Sequence, residues 1–148
     1  MAAVNPLNAS ELVFPALECI HIVGFSILVG TIAVVDFRLL GLWLPRQSVT
    51  ELARDLSPWT LIGLASVLLS GPLLFSSDPD MYYLNGSFQF KMACLLVAIV
   101  FNYTIHRKAV LADASPLRSK FVASVSLLLW MGVIAGGAFI GFVGRFGA

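Results

Sequence analysis

Residues 121–143 read FVASVSLLLWMGVIAGGAFIGFV, 23 positions without one Asp, Glu, Lys or Arg. As a helix this run rises about 34 Å, enough to cross the roughly 30 Å hydrocarbon core of a bilayer. Three more apolar stretches lie upstream, at about residues 12–44, 58–75 and 88–106. The first is long enough to tilt or project, and the second is short for a span.

Composition agrees. The 148 residues are 59% hydrophobic and 11% charged, with a mean hydropathy of +0.93. Soluble domains run at about 25% charged and 45–50% apolar, so lipid is the solvent for most of this surface. A net charge of +1 argues against a basic nucleic-acid binder. Two distant cysteines form neither a disulfide framework nor a CxxC pair. The fold class is all-α: a single polytopic domain, a bundle of four transmembrane helices. No Lys or Arg precedes the first apolar stretch, so that segment reads as a retained span and not as a cleaved leader.

Local signals set the connections. Ser48-Val-Thr-Glu51 fits a capping box, which predicts a short interfacial helix ending near Ser57. Ser57-Pro58 then reads as N-cap and first residue of the second span. Ser70-Gly71-Pro72 predicts a kink. The segment 76–80 and Asn85-Gly86 predict an exposed loop, and Ala114-Ser-Pro116 a break before the last span. Gly132, Gly136, Gly137 and Gly141 permit close helix approach, within the chain or between copies.

The loops after spans one and three hold Arg46, Arg54, Arg107, Lys108, Arg118 and Lys120, against Arg145 on the other side. The positive-inside rule then predicts both termini outside a bacterial inner membrane. Trp43 and Trp59 would mark the inner interface, and Tyr82 and Tyr83 the outer one.

Ionisable groups inside spans are costly and point to a bundle interior or a cavity. Glu18, His21 and Asp36 fall on one stripe of span one; Lys91, Asn102 and His106 fall on one stripe of span three. His21 to Asp36 and Lys91 to His106 each climb about 22 Å. Setting His21 level with Lys91 therefore brings Asp36 level with His106. Two clusters result: Glu18, His21 and Lys91 with Cys94 near the outer face, and Asp36, Asn102 and His106 near the inner one. Each is either a site or a pair that fixes register. Arg38 points off the stripe and reads as an interfacial snorkelling residue. Cys19 points away from Glu18, and Trp130 reads as packing or as a stacking platform.

The run from Glu18 through His21 and Gly24, then Gly30 to Asp36, Arg38 and Gly41, resembles an uncharacterised bacterial family of small four-helix membrane proteins. So do Pro58-Trp59-Thr60, Ser70-Gly71-Pro72 and Phe88-x-x-Lys91 continuing to Asn102 and His106. His21, Arg38 and Lys91 are also distantly similar to the membrane-integral protoporphyrinogen oxidases. That resemblance implies haem b with His21 as ligand and Lys91 as a porphyrin or haem partner. His21 with Gly24 carries a looser similarity to copper-resistance D-type membrane domains.

The leading expectation is a haem b protein with a redox or electron-transfer role, held by His21, Lys91 and Glu18. His21 and His106 are the candidate metal ligands, but the 22 Å between their depths prevents one haem bridging them in one chain. Gly24 would leave room for the macrocycle. Alternatives are a non-catalytic subunit of a larger membrane redox complex, an oxidase-like enzyme, or copper handling through Glu18, His21 and Cys94. Expected partners are the lipid bilayer and a second copy or larger complex, not nucleic acid.

Overall fold

The computed structural model describes residues 5–112 and 114–146. A 3-10 turn at Pro6–Asn8 leads into α1 (Val13–Leu39). Then follow α2 (Val49–Ser77), the short α3 (Pro79–Tyr83) and α4 (Gly86–Phe101). A π-helical turn (Asn102–His106) joins α4 to α5 (Arg107–Leu111), and α6 (Pro116–Phe146) completes the bundle.

Four rods are long and apolar enough to cross a membrane: Val13–Leu39, Val49–Ser77, Gly86–Leu111 and Pro116–Val143. The chain is a multi-pass membrane protein, and its outward faces present Leu69, Leu96 and Leu128 to lipid. Asn5 Nδ2 donates to the Ser76 carbonyl at 2.5 Å, and Asn85 Nδ2 to that of Ile140 at 3.2 Å. The start of α1, the end of α2, the start of α4 and the end of α6 thus share one end. Arg38, Arg46, Arg54, Arg107, Lys108, Arg118 and Lys120 belong to the other, the basic end. The side chain of Arg145 lies outside the described residues.

The separate interfacial helix does not form. Ser48 caps the Glu51 N–H at 3.5 Å as expected, but the helix it starts runs unbroken through Pro58 and Pro72 to Ser77. Tertiary packing overrides the proline signal: Val49, Ala53 and Leu56 press on a core of Val35, Leu39, Val110 and Ala123. The first turns of α2 therefore belong to the bundle. Asn85 is likewise buried, not looped out: it caps α4 through the Ser87 N–H while holding Ile140.

Small residues set the helix spacing. A Cβ at Gly63 would lie 2.6 Å from the Leu28 nitrogen, and one at Gly24 would lie 2.5 Å from the Ser66 Cβ, so α1 and α2 touch backbone to backbone. A Cβ at Gly136 would lie 2.9 Å from the Lys91 Cβ, and one at Gly132 would lie 3.1 Å from the Cys94 Sγ. These glycines of α6 thus seat α4 within the chain. Between the two pairs runs a core of Leu28, Ile32, Val67, Leu95, Val133 and Trp130. Trp130 is a packing residue, tilted against Phe25 at 6.5 Å between ring centroids.

Candidate functional site at the basic end

Near the end of α1, Asp36 is 0% exposed, which a membrane interior tolerates only if the carboxylate is fully bonded. Its Oδ1 lies 2.6 Å from Nε2 of His106, and its Oδ2 accepts from the Ser126 hydroxyl at 2.7 Å. The depth argument thus brings Asp36 and His106 together as expected. Ser126 was not expected, although it stands four residues before Trp130 on the buried face of α6. Because Ser126 gives its proton to the carboxylate and not to the imidazole, the trio lacks the serine–base contact of a hydrolase triad.

His106 closes the π-helical turn, a wide turn that recurs at functional sites. Its Nδ1 has no hydrogen bond among the described residues. No fully buried side-chain nitrogen or oxygen there lacks a partner, so Nδ1 keeps some exposure, and His106 lines a cleft. Asp36 fixes the ring by one nitrogen and leaves the other free to accept or donate.

That cleft, about 260 Å³, opens between α1, α2 and the rod of α4 and α5. Ile32, Val35, Leu56 and Val110 give it an apolar side; Ser57, Thr60 and Asn102 give it a polar one. Thr60 Oγ1 donates to Thr31 Oγ1 at 2.8 Å, and Thr31 donates to the Ile27 carbonyl at 2.9 Å, so these hydroxyls hold fixed orientations. Asn102 joins the wall without a hydrogen bond to Asp36. Arg54 and Arg107, exposed, complete the lining. Reading the spans one face at a time missed these arginines, because they count equally well as topology signals.

The opposite cluster assembles only in part: His21 and Lys91 lie within electrostatic reach of each other, and Glu18 does not join them. Glu18 is exposed at the start of α1, and Asp36–His106 is the one ion pair among the described residues. Lys91 turns instead along Gly136 and Gly137, its Nζ 6.0 Å from the Phe25 ring centroid. The expected Glu18–Lys91 pair is therefore absent among the described residues. Cys19 is exposed and Cys94 packs on Gly132, and among the described residues no three His, Cys, Asp or Glu groups are placed to share a metal. The grouping of Glu18, His21 and Cys94 is thus not formed. Beside this end, burial first and then the Glu18 and Asp78 carboxylates push the Tyr82 phenol above its ordinary pKa.

His21 has its own partner. Ser70 gives its one proton to the Ser66 carbonyl at 2.5 Å, so His21 Nδ1–H donates to Ser70 Oγ at 2.8 Å and Nε2 keeps its lone pair. A hydrogen bond that fixes one ring nitrogen in this way readies a histidine to ligate through the other. For haem b the fit is of a ligand atom only: the room expected at Gly24 is filled by Gly63 and Ser66 of α2. His21 and His106 cannot share a metal, since His106 is held by Asp36, fifteen positions and about 22 Å further along α1. Arg38 does not simply snorkel. Its Nε donates to the Gln47 carbonyl at 2.7 Å, which ties down the connection between α1 and α2.

The profile of a protein family of unknown function, DUF6644, matches residues 13–143. No curated protein and no solved structure matches the chain, and the likenesses to protoporphyrinogen oxidases and copper-resistance domains gain no support.

Proposed function

The chain belongs to the DUF6644 family, whose function is unknown, and we propose from the site alone that it binds a small molecule in the basic-end cleft, with His106 as the ligand's hydrogen-bond and proton partner. The observation that carries this is the pairing of a fully buried Asp36 with a histidine that lines a cleft and keeps its second nitrogen unbonded among the described residues. A carboxylate at this depth is expensive to keep, and orienting an imidazole toward a ligand is a use that repays it. On the positive-inside rule the basic end faces the cytoplasm of a bacterial inner membrane, so ligand enters from the inner leaflet or the cytoplasm.

Native mass spectrometry of protein released from its own membrane tests this. A small-molecule adduct is expected on the wild type and on Ser70→Ala, which lies outside the cleft. It should fall in Asn102→Leu and Thr60→Val, with melting temperatures showing that both variants remain folded. No adduct, or one indifferent to the cleft substitutions, would overturn the reading.

A second reading rests on His21, whose free Nε2 is suited to ligate haem b in a redox or electron-transfer protein. With Gly24 filled, the porphyrin would lie outside the four spans, against lipid, a second copy or a larger redox complex. A Soret band in native protein that shifts with dithionite and disappears in His21→Ala supports it. No Soret band after haem supplementation removes it.

A further inference from the structure

The charge pattern of the cleft narrows its ligand. Among the residues lining it there are two guanidinium groups, Arg54 and Arg107, and no carboxylate. Arg38, by contrast, spends its hydrogen bonds on the backbone carbonyls of Gln47 and Pro45. Arg54 and Arg107 have no hydrogen-bond or ion-pair partner among the described residues, so their donors are available. Asp36 stands behind His106, with both oxygens already bonded.

The remaining lining is divided. Ser57, Thr60 and Asn102 offer hydroxyl and amide groups, while Ile32, Val35, Leu56 and Val110 offer a surface suited to methylene groups. The cleft also lies at one end of the spans, among the cationic connections, where the head groups of one leaflet begin. An inorganic ion would leave the apolar side unused, and a neutral lipid would leave two guanidiniums unpaired.

Resting on the reading of the cleft as a binding site, we infer that its ligand is an amphiphile with a phosphate-monoester head, an anionic lipid of the phosphatidic acid class. Arg54 and Arg107 would take the phosphoryl oxygens, for which the guanidinium fork is matched in shape and charge. His106 Nδ1 and Asn102 would face the glycerol region, and the acyl chain would start along Val35 and Leu56. The occupant is a lipid and not free phosphate because of that apolar side.

The test uses full-length protein in phosphatidylcholine nanodiscs doped with phosphatidic acid, with lipid retention after detergent extraction read by native mass spectrometry. Wild type should retain phosphatidic acid over phosphatidylcholine. Arg54→Gln and Arg107→Gln should each cut that retention about tenfold, the scale of one hydrogen bond to a charged group. Arg118→Gln and Lys120→Gln, at the same end but outside the cleft, should leave it unchanged and so separate a site from general basicity. Equal losses in all four variants would overturn the inference, as would competition by inorganic phosphate as effective as that by the lipid. Equal retention of phosphatidylcholine would overturn the anionic head while leaving the cleft as a binding site. If neither lipid is retained and no adduct responds to Asn102→Leu, the binding reading itself falls.

Discussion

Asp36 and Ser126, 90 positions apart in the chain, meet at 2.7 Å inside the bundle, and the second oxygen of the same carboxylate holds His106. One side chain thus ties α1 to both α6 and the π-helical turn. Removing it leaves a serine and a histidine buried without their partner. Asp36→Ala should lower stability by about 3–5 kcal/mol, the usual cost of breaking a buried pair from one side. Asp36→Asn, which keeps hydrogen-bonding atoms in place, should lose less. Denaturation in mixed micelles reads both, and a cycle with His106→Ala should be strongly non-additive. Additive losses would mean that the contact carries no coupling.

Glycines in α1 and α2 should respond in opposite directions. Gly63→Ala drives a methyl into the Leu28 backbone and should destabilise the protein or abolish its accumulation. Gly30 has open space where a Cβ would stand. Gly30→Ala should therefore be neutral or gain up to about 1 kcal/mol from helix propensity. Melting temperatures of the two variants check the contrast.

Lys91 packs its stem on Gly137 without an ion pair among the described residues. Lys91→Met keeps most of that stem and removes an embedded charge, so stability should hold or rise. A loss of more than about 1 kcal/mol, matched by Glu18→Gln, would reinstate the salt bridge that the geometry denies.

Tyr82 supplies a dependence on alkaline pH. Its phenol is raised in the folded protein, by burial first and then by Glu18 and Asp78. The folded state therefore holds this proton when the unfolded chain, near pH 10, has begun to release it. Stability is unaffected below that point and falls as pH rises through it. Tyr82→Phe should lose less stability than wild type between about pH 9 and 11, followed by thermal melts across that range. An unchanged profile would count against the assignment.

The four spans were legible because a long apolar run with few charges has few alternatives in water. The Asp36–His106 contact was legible too, since a stripe and a fixed rise per residue determine depth. What a stripe omits is whether a neighbour covers it. Glu18 shares a face with His21, yet it stays exposed at the start of α1. Pro58 misled because a local signal was outweighed by the packing of Ala53 and Leu56 against α1 and α5. The cleft was invisible for a different reason: Arg54, Thr31 and Asn102 come from three helices and share no spacing. Gly24 offers space in the sequence and is a contact in the fold, because a missing side chain admits a neighbouring helix as readily as a ligand.

The glycine contacts described above divide the bundle into two pairs, α1 with α2 and α4 with α6. Neither pair can slide internally without backbone collision. The seam between them is mostly greasy and forgiving; among the described residues the two side-chain-to-side-chain hydrogen bonds that cross it both end on Asp36, and Thr50 Oγ1 adds one to the Val110 carbonyl at 3.1 Å. Mechanically the molecule is a pair of stiff jaws riveted by the Asp36 carboxylate, with the Thr50–Val110 contact and the cleft beside the rivet. Anything that reaches His106 therefore acts on the hinge pin, and rocking of one jaw on the other is the motion that this architecture leaves open.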